Sequence, residues 1–424
     1  MANFGSASVS IVTGLLFNAA AWAASPPTLE TGSAAPDFRL PGIVVNPGST
    51  PACARAASIE ERDFQLSDFA EAKLLCLVFT CNHCPTAQAY ESVLMELTRD
   101  YRDKGVAVVA ISPNDDQAVR LDELGYSDLG DSFEEMKVRA LDRKFNFPYL
   151  YDGADQKVSL AYGPVATPHV FLFDAERKLR YSGRLTDNEN PAKAKTQDTR
   201  DALDCLLAGK AVTTPKTRPF GCSIKWSDKR ASAREALEKW DQEKADLKMV
   251  LPDEVAALAK NDTDKVRVIN LWATWCGPCV TEFPQLVEIN RMYRNRPFEM
   301  ISISMDDPAK RDNVLDFLNK NHASFQNYLY NSDSRDDIIS MDDPAKRDNV
   351  LDFLSKNHAS FQNYLYNSDS RDALAKALDP QWPGALPHTV VIAPGGEIIY
   401  RHNGQFDPLT LKKAIVEKIG RHYF

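Results

Sequence analysis

The chain alternates short runs of consecutive apolar residues with longer stretches in which apolar residues recur every third or fourth position. LLCLVF at 74–79 has strand length and buried-strand character, and the stretch after it places Tyr90, Val93, Leu94, Leu97 and Tyr101 on one helical face. GVAVVAIS at 105–112 predicts a second buried strand. A polar, helix-like insertion fills about 115–145, followed by FPYLYD and then by TPHVFLFD and KLRYSGRL, two strands separated by the turn-prone DAER. The same order returns downstream: VRVINLWATW, a helix through PQLVEINRMY, the strand FEMISIS, and LPHTVVIAPGGEIIY with a Gly-Gly hairpin turn. Each series predicts an α/β domain with a central mixed β-sheet flanked by helices, and the chain carries two in tandem.

The first domain is expected over 27–225 and the second over 247–424. Between them, 226–246 is charged and sets Ala233, Leu237 and Trp240 on one stripe, the pattern of a solvated helical linker. Residues 25–70, rich in Pro, Gly, Ala and Ser, are assigned no element. One near-identical copy interrupts the second domain: 303–336 returns as 339–372, shifted by 36 positions, with Ser355 where the first copy has Asn319. Two units are too few for a solenoid. One copy is expected to pack in the sheet and the other to be an appended element.

A chain of 424 residues with 44% apolar content can bury two ordinary cores. Its net charge of -9, without a long basic run, argues against a phosphate-tracking surface, so no nucleic-acid partner is expected. The first 24 residues contain no Asp, Glu, Lys or Arg, and their apolar stretch ends in Ala21-Trp22-Ala23. Residues 1–23 are therefore expected to be a signal peptide, which makes the mature protein periplasmic or secreted.

The chemistry is concentrated in cysteine. Cys81-Asn82-His83-Cys84 and Cys276-Gly277-Pro278-Cys279 each follow a predicted core strand and open a predicted helix. Unpaired N–H groups at a helix N-terminus favour thiolate, so the first sulfur of each pair, Cys81 or Cys276, is expected to attack a disulfide. Cys84 or Cys279 would then resolve the mixed disulfide. Because each pair sits in its own domain, a shared four-cysteine zinc site is disfavoured. Cys76 and Cys205 read as small buried hydrophobes, and Cys53 and Cys222 as candidates for a structural bridge.

At WATWCGPC the second domain resembles the thioredoxin-like TlpA/ResA-like thiol-disulfide oxidoreductases. The resemblance rests on Trp275, Cys276, Gly277, Pro278 and Cys279, on the helix proline Pro284, and on Pro387 in LPHTV. It implies a cis-proline at Pro387 that faces the cysteines and shapes a groove for a partner's extended chain. It also implies that Glu282, an acid near the sulfurs, accepts the resolving thiol's proton.

The first domain resembles the redoxin or peroxiredoxin-like (AhpC/TSA-type) branch of the same superfamily. GSAAPDFRL and LSDF carry the likeness, and TPHV supplies Pro168 as the cis-proline equivalent. It departs from the pattern in having Thr80 where thioredoxins have Trp, and Val78 where peroxidases have Thr. A thiol peroxidase activity of this domain is one alternative.

These likenesses imply a protein that needs no bound cofactor. It would act on protein disulfide or dithiol substrates, with electrons supplied by a membrane dithiol donor or another redox protein. His83, as an imidazolium beside a Cys81 thiolate, would make the first pair the more oxidising, so electrons would run from Cys276/Cys279 to Cys81/Cys84. Two domains serving separate partners is the simpler expectation. Because His169 and His388 each follow a candidate cis-proline, a copper-handling (Sco-like) binding module is the second alternative.

Overall fold

The computed structural model describes residues 26–48, 57–153, 155–331 and 368–423. The first 23 residues, Cys53 and most of the second repeat copy lie outside them.

The first domain is a seven-stranded mixed sheet in the order β2-β1-β5-β4-β3-β6-β7. Its strands are β1 (Arg39–Asn46), β2 (Ser58–Gln65), β3 (Leu74–Phe79), β4 (Val106–Ser112), β5 (Tyr149–Tyr151), β6 (His169–Phe173) and β7 (Leu179–Gly183). Central β3, the predicted LLCLVF run, is buried at every position, runs parallel to β4 and antiparallel to β6. Both its faces are covered, which explains why its sequence is continuously apolar and does not alternate. Helices α1 (Pro85–Ala89), α2 (Glu91–Arg102), α3 (Phe133–Arg143), α4 (Lys157–Tyr162) and α5 (Asp198–Leu207) complete the domain. The β1–β2 pair was not foreseen. Pro41-Gly42 breaks the apolar pattern of β1 without breaking the strand, and β2 has the polar sequence SIEERDFQ of an exposed edge.

Helix α6 (Arg230–Asp241) lies between the domains and buries Ala233 and Trp240. The second domain is a six-stranded sheet in the order β13-β12-β9-β10-β11-β8, built from β8 (Lys248–Val250), β9 (Val266–Trp272), β10 (Phe298–Ser304), β11 (Gln326–Tyr330), β12 (His388–Ile392) and β13 (Ile398–Asn403). Here β9, β10, β11 and β8 are parallel, and β12 runs antiparallel both to β9 and to its hairpin partner β13. Helices α7 (Pro252–Lys260), α8 (Gly277–Tyr293), α9 (Arg311–Lys320), α10 (Ser368–Leu378) and α11 (Pro408–Ile419) flank this sheet. The first repeat copy supplies α9 and β11.

The domains meet through the polar insertion of the first and the far end of α8. Tyr293 Oη donates to the Ser127 carbonyl at 2.8 Å, and Arg296 donates to the Gly125 carbonyl at 2.7 Å. Arg421, beyond α11, pairs with Asp128 at 2.6 Å. His422 and Tyr423 rest on α1, with Tyr423 Oη 2.6 Å from Thr86 Oγ1.

Candidate active sites

In the second domain β9 ends at Trp272, and Cys276 caps α8, its sulfur accepting the Cys279 N–H at 3.3 Å. Pro278 occupies the first turn, where its missing N–H costs nothing. Cys276 and Cys279 form a disulfide beneath an exposed rim of Trp275, Gly277 and Pro278, and Trp275 is 57% exposed. The peptide bond preceding Pro387 is cis.

Glu282 follows Cys279 by one helical turn and is buried. Its oxygens accept from Asn270 Nδ2 at 3.0 Å and from the Phe406 N–H at 3.2 Å. Burial pushes this carboxyl up to about 7, against the opposing pull of those two bonds. Asn270 also donates to Thr389 Oγ1, so the acid is tied to β9 and β12.

The first pair is arranged differently. Pro85 directly follows Cys84 and takes the first helical position, so Cys84 rather than Cys81 caps α1. In the second domain the proline stands two places after the first cysteine, and the helix starts earlier. Cys84 Sγ accepts the N–H groups of Ala87 at 3.5 Å and Cys222 at 3.3 Å. When protonated, it donates to the Thr167 carbonyl at 3.1 Å.

Burial raises the Cys84 thiol, but bonds from Cys222 and Cys81, the His83 charge and the Ala87 N–H bring it well below the ordinary value. Cys81 is pushed well above it by burial, by its bond to Cys84 and by the Asp131 charge. The thiolate of the reduced pair is therefore Cys84. This reverses the sequence expectation, which assumed that the helix begins at the first sulfur.

His83 also differs from expectation. Its Nδ1 lies 2.5 Å from Asp131 Oδ2 and 3.7 Å from Cys81 Sγ. Burial opposes its positive charge, but the Asp131 carboxylate outweighs burial and raises the imidazole above its usual range. Asp131 also accepts the N–H groups of Asn82 and His83 and the Asn114 amide, and these partners hold it ionised. Sequence reasoning missed Asp131, which lies 47 residues beyond Cys84 in the polar insertion. Its signal was only a lone Gly-Asp-Ser.

Cys81, His83 and Asp131 bring one potential metal ligand each to within 4.8 Å of one another. The Asp131 oxygens are already engaged by the imidazole, the amide and two backbone donors, so a cation there would have to break a sealed ion pair. The other two histidines of the copper reading do not complete the site. His169, with Pro168 in cis before it, accepts the Val165 N–H and bonds Ser182 Oγ, and burial lowers its imidazole to about 3. His388 bonds Asn403 and lies against Asp379 and Trp382.

Cys76 is a core residue whose thiol burial pushes up to about 12, and Cys205 is half-buried on α5. Cys222, expected as a bridge partner for Cys53, lies against Cys84.

Every residue from Thr80 to Gln88 is buried, in contrast to the open rim of the second site. Arg139 helps to close the first site by bonding the Asn82 carbonyl, Ser127 Oγ and Asp128.

Two mixed-sheet domains, each with a Cys-x-x-Cys between a core strand and a helix, define a tandem thioredoxin-like protein of the oxidoreductase class. The Redoxin family model matches residues 30–199 and again 247–418, and the chain belongs to that family. A 39-residue stretch is 36% identical to the thiol-disulfide oxidoreductase ResA of Oceanobacillus iheyensis, spanning 9% of this chain and 20% of that protein. Among solved structures, a hypothetical protein from Sinorhizobium meliloti is 33% identical, with a TM-score of 0.38, over 47% of this chain and 97% of its own. A conserved protein from Geobacillus kaustophilus is 32% identical, with a TM-score of 0.39, over 47% and 93%.

Proposed function

We propose that the protein is an exported thiol-disulfide oxidoreductase whose second domain exchanges disulfides with extended protein segments through Cys276 and Cys279. The observation that carries this reading is the Cys276–Cys279 disulfide at the start of α8, under an open rim and one turn from the buried Glu282. After reduction, Cys276 attacks a substrate disulfide from the helix N-terminus, and Cys279 resolves it as Glu282 takes its proton. Export is supported by the charge-free, apolar residues 1–23.

Domain geometry favours separate partners over direct transfer between the pairs. The interdomain seam lies at Tyr293 and Arg296, and α8 places Cys276 about 25 Å away along its axis. The first pair is poised as the stronger oxidant, since the His83 charge and its hydrogen-bond donors stabilise the reduced form at Cys84.

Trapping tests the reading. Cys279→Ala should retain substrate proteins on Cys276 through a reducible bond, and Cys276→Ala should retain none. Equal recovery from both variants would refute exchange at this site.

A further inference from the structure

The exchange chemistry leaves Cys222 unused, yet its position is built with care. Gly221 has φ +121°, and a Cβ there would lie 2.0 Å from the Thr167 carbonyl oxygen, so only glycine allows this close approach. Cys222 then pairs with the residue before cis-Pro168: the Thr167 N–H donates to the Cys222 carbonyl at 2.9 Å. Beyond it, Ile224 is buried, the Lys225 N–H donates to Asn114 Oδ1, and the Lys225 carbonyl accepts the Asp115 N–H. These anchors hold the Cys222 N–H 3.3 Å from Cys84 Sγ and pack its side chain against Cys81 and Cys84. Cys84 thus has two thiol neighbours, Cys81 and Cys222, the latter 138 positions away in sequence.

Resting on the exchange proposed for this family, we infer that Cys222 is a third redox-active thiol, which takes Cys84 from the Cys81–Cys84 disulfide to form a Cys84–Cys222 bridge. Burial and the neighbouring Cys84 sulfur keep the Cys222 thiol protonated beside the reduced pair. Once Cys84 is joined to Cys81 it carries no charge, and Cys222 Sγ gives up its proton as it attacks Cys84 Sγ. The Cys84–Cys222 bond forms, the Cys81–Cys84 bond breaks, and the electron pair leaves on Cys81 Sγ. The proton released by Cys222 ends on Cys81, so the step is an internal exchange with no net gain or loss of electrons. His83 Nδ1 at 3.7 Å and Thr167 Oγ1 at 3.2 Å stand beside the leaving sulfur.

The substrate class follows from the same contacts. Cys222 holds the Thr167 N–H, so an incoming extended peptide must displace 221–223 to pair there. The first domain therefore suits small or flexible thiols and disulfides that reach Cys84 without strand pairing.

The test uses the full-length chain, oxidised glutathione as probe, and mass mapping of unreduced peptides. In Cys81→Ser, glutathione should load Cys84 and then be displaced by Cys222, leaving a Cys84–Cys222 cross-link. In Cys81→Ser/Cys222→Ser, the adduct on Cys84 should persist at least about ten times longer. A Cys81→Ser protein that keeps glutathione on Cys84 for as long as the double variant, with Cys222 still free to alkylate, overturns the inference. So does unsubstituted protein that shows only the Cys81–Cys84 linkage at every glutathione ratio. If the double variant never takes glutathione on Cys84, exchange chemistry in the first domain fails, and the third-thiol role fails with it.

Discussion

His83 Nδ1 and Asp131 Oδ2 meet at 2.5 Å in a pocket closed to solvent, and the resulting imidazolium is one source of the Cys84 thiolate. Replacing Asp131 with Asn keeps an acceptor for the Asn82 and His83 N–H groups but removes the charge that holds His83 protonated. The Cys84 thiol should then rise by about one pK unit or more. Thiolate absorbance followed against pH checks this, and an unchanged titration would show that the pair is structural only. The midpoint potential of the pair should fall by about 30 mV for each unit gained.

Glu282 makes the second domain pH-dependent in a definite direction. Its folded value, raised to about 7 from 4.5, means that the folded state binds the extra proton between those limits. Stability contributed by the neutral acid is present below about 4.5 and is lost as pH rises through about 7, by at most about 3 kcal/mol. Glu282→Gln should flatten this dependence and slow resolution of mixed disulfides at Cys276. Urea midpoints at pH 5 and pH 8 would show the first effect, and a slope equal to that of the parent protein would contradict it.

His169 works in the opposite sense. Burial depresses its imidazole to about 3, so the unfolded chain binds a proton that the fold refuses. Stability is full above the unfolded value near 6.5 and falls as pH drops toward 3. His169→Gln should reduce the acid sensitivity of the first domain, read as a smaller loss of melting temperature between pH 7 and pH 4.5.

Gly221→Ala forces a Cβ against the Thr167 carbonyl in a left-handed conformation. We expect a loss of about 2 kcal/mol or more. Because the strain falls on the segment that covers Cys84, alkylation of that sulfur in the folded protein should accelerate. A variant with unchanged alkylation would place the strain elsewhere.

Much of this architecture was legible because burial on both faces writes β3 as an unbroken apolar run and leaves β9 apolar at all but Arg267 and Asn270, and because Gly395-Gly396 marks a hairpin. The pair β1–β2 was not legible, since an edge strand has no apolar face to announce it. The geometry around the second pair is local, since Cys276 caps α8 and Pro278, Cys279 and Glu282 lie in its first two turns. That around the first pair is not, because Asp131 and Cys222 come from loops far along the chain and carry no periodic signal. The position of the thiolate was nonetheless encoded locally: Pro85 immediately after Cys84 moves the start of the helix by three residues.

The contacts of Arg421, His422 and Tyr423 with Asp128, Pro85 and Thr86 tie the last helix of one domain to the first helix of the other. Substitutions at Arg421, His422 or Tyr423 would therefore act on the neighbourhood of Cys84, more than 330 residues upstream, before they disturbed Cys276. Purification handles for this protein belong away from residues 421–423, if the chemistry of its first half is to be measured undistorted.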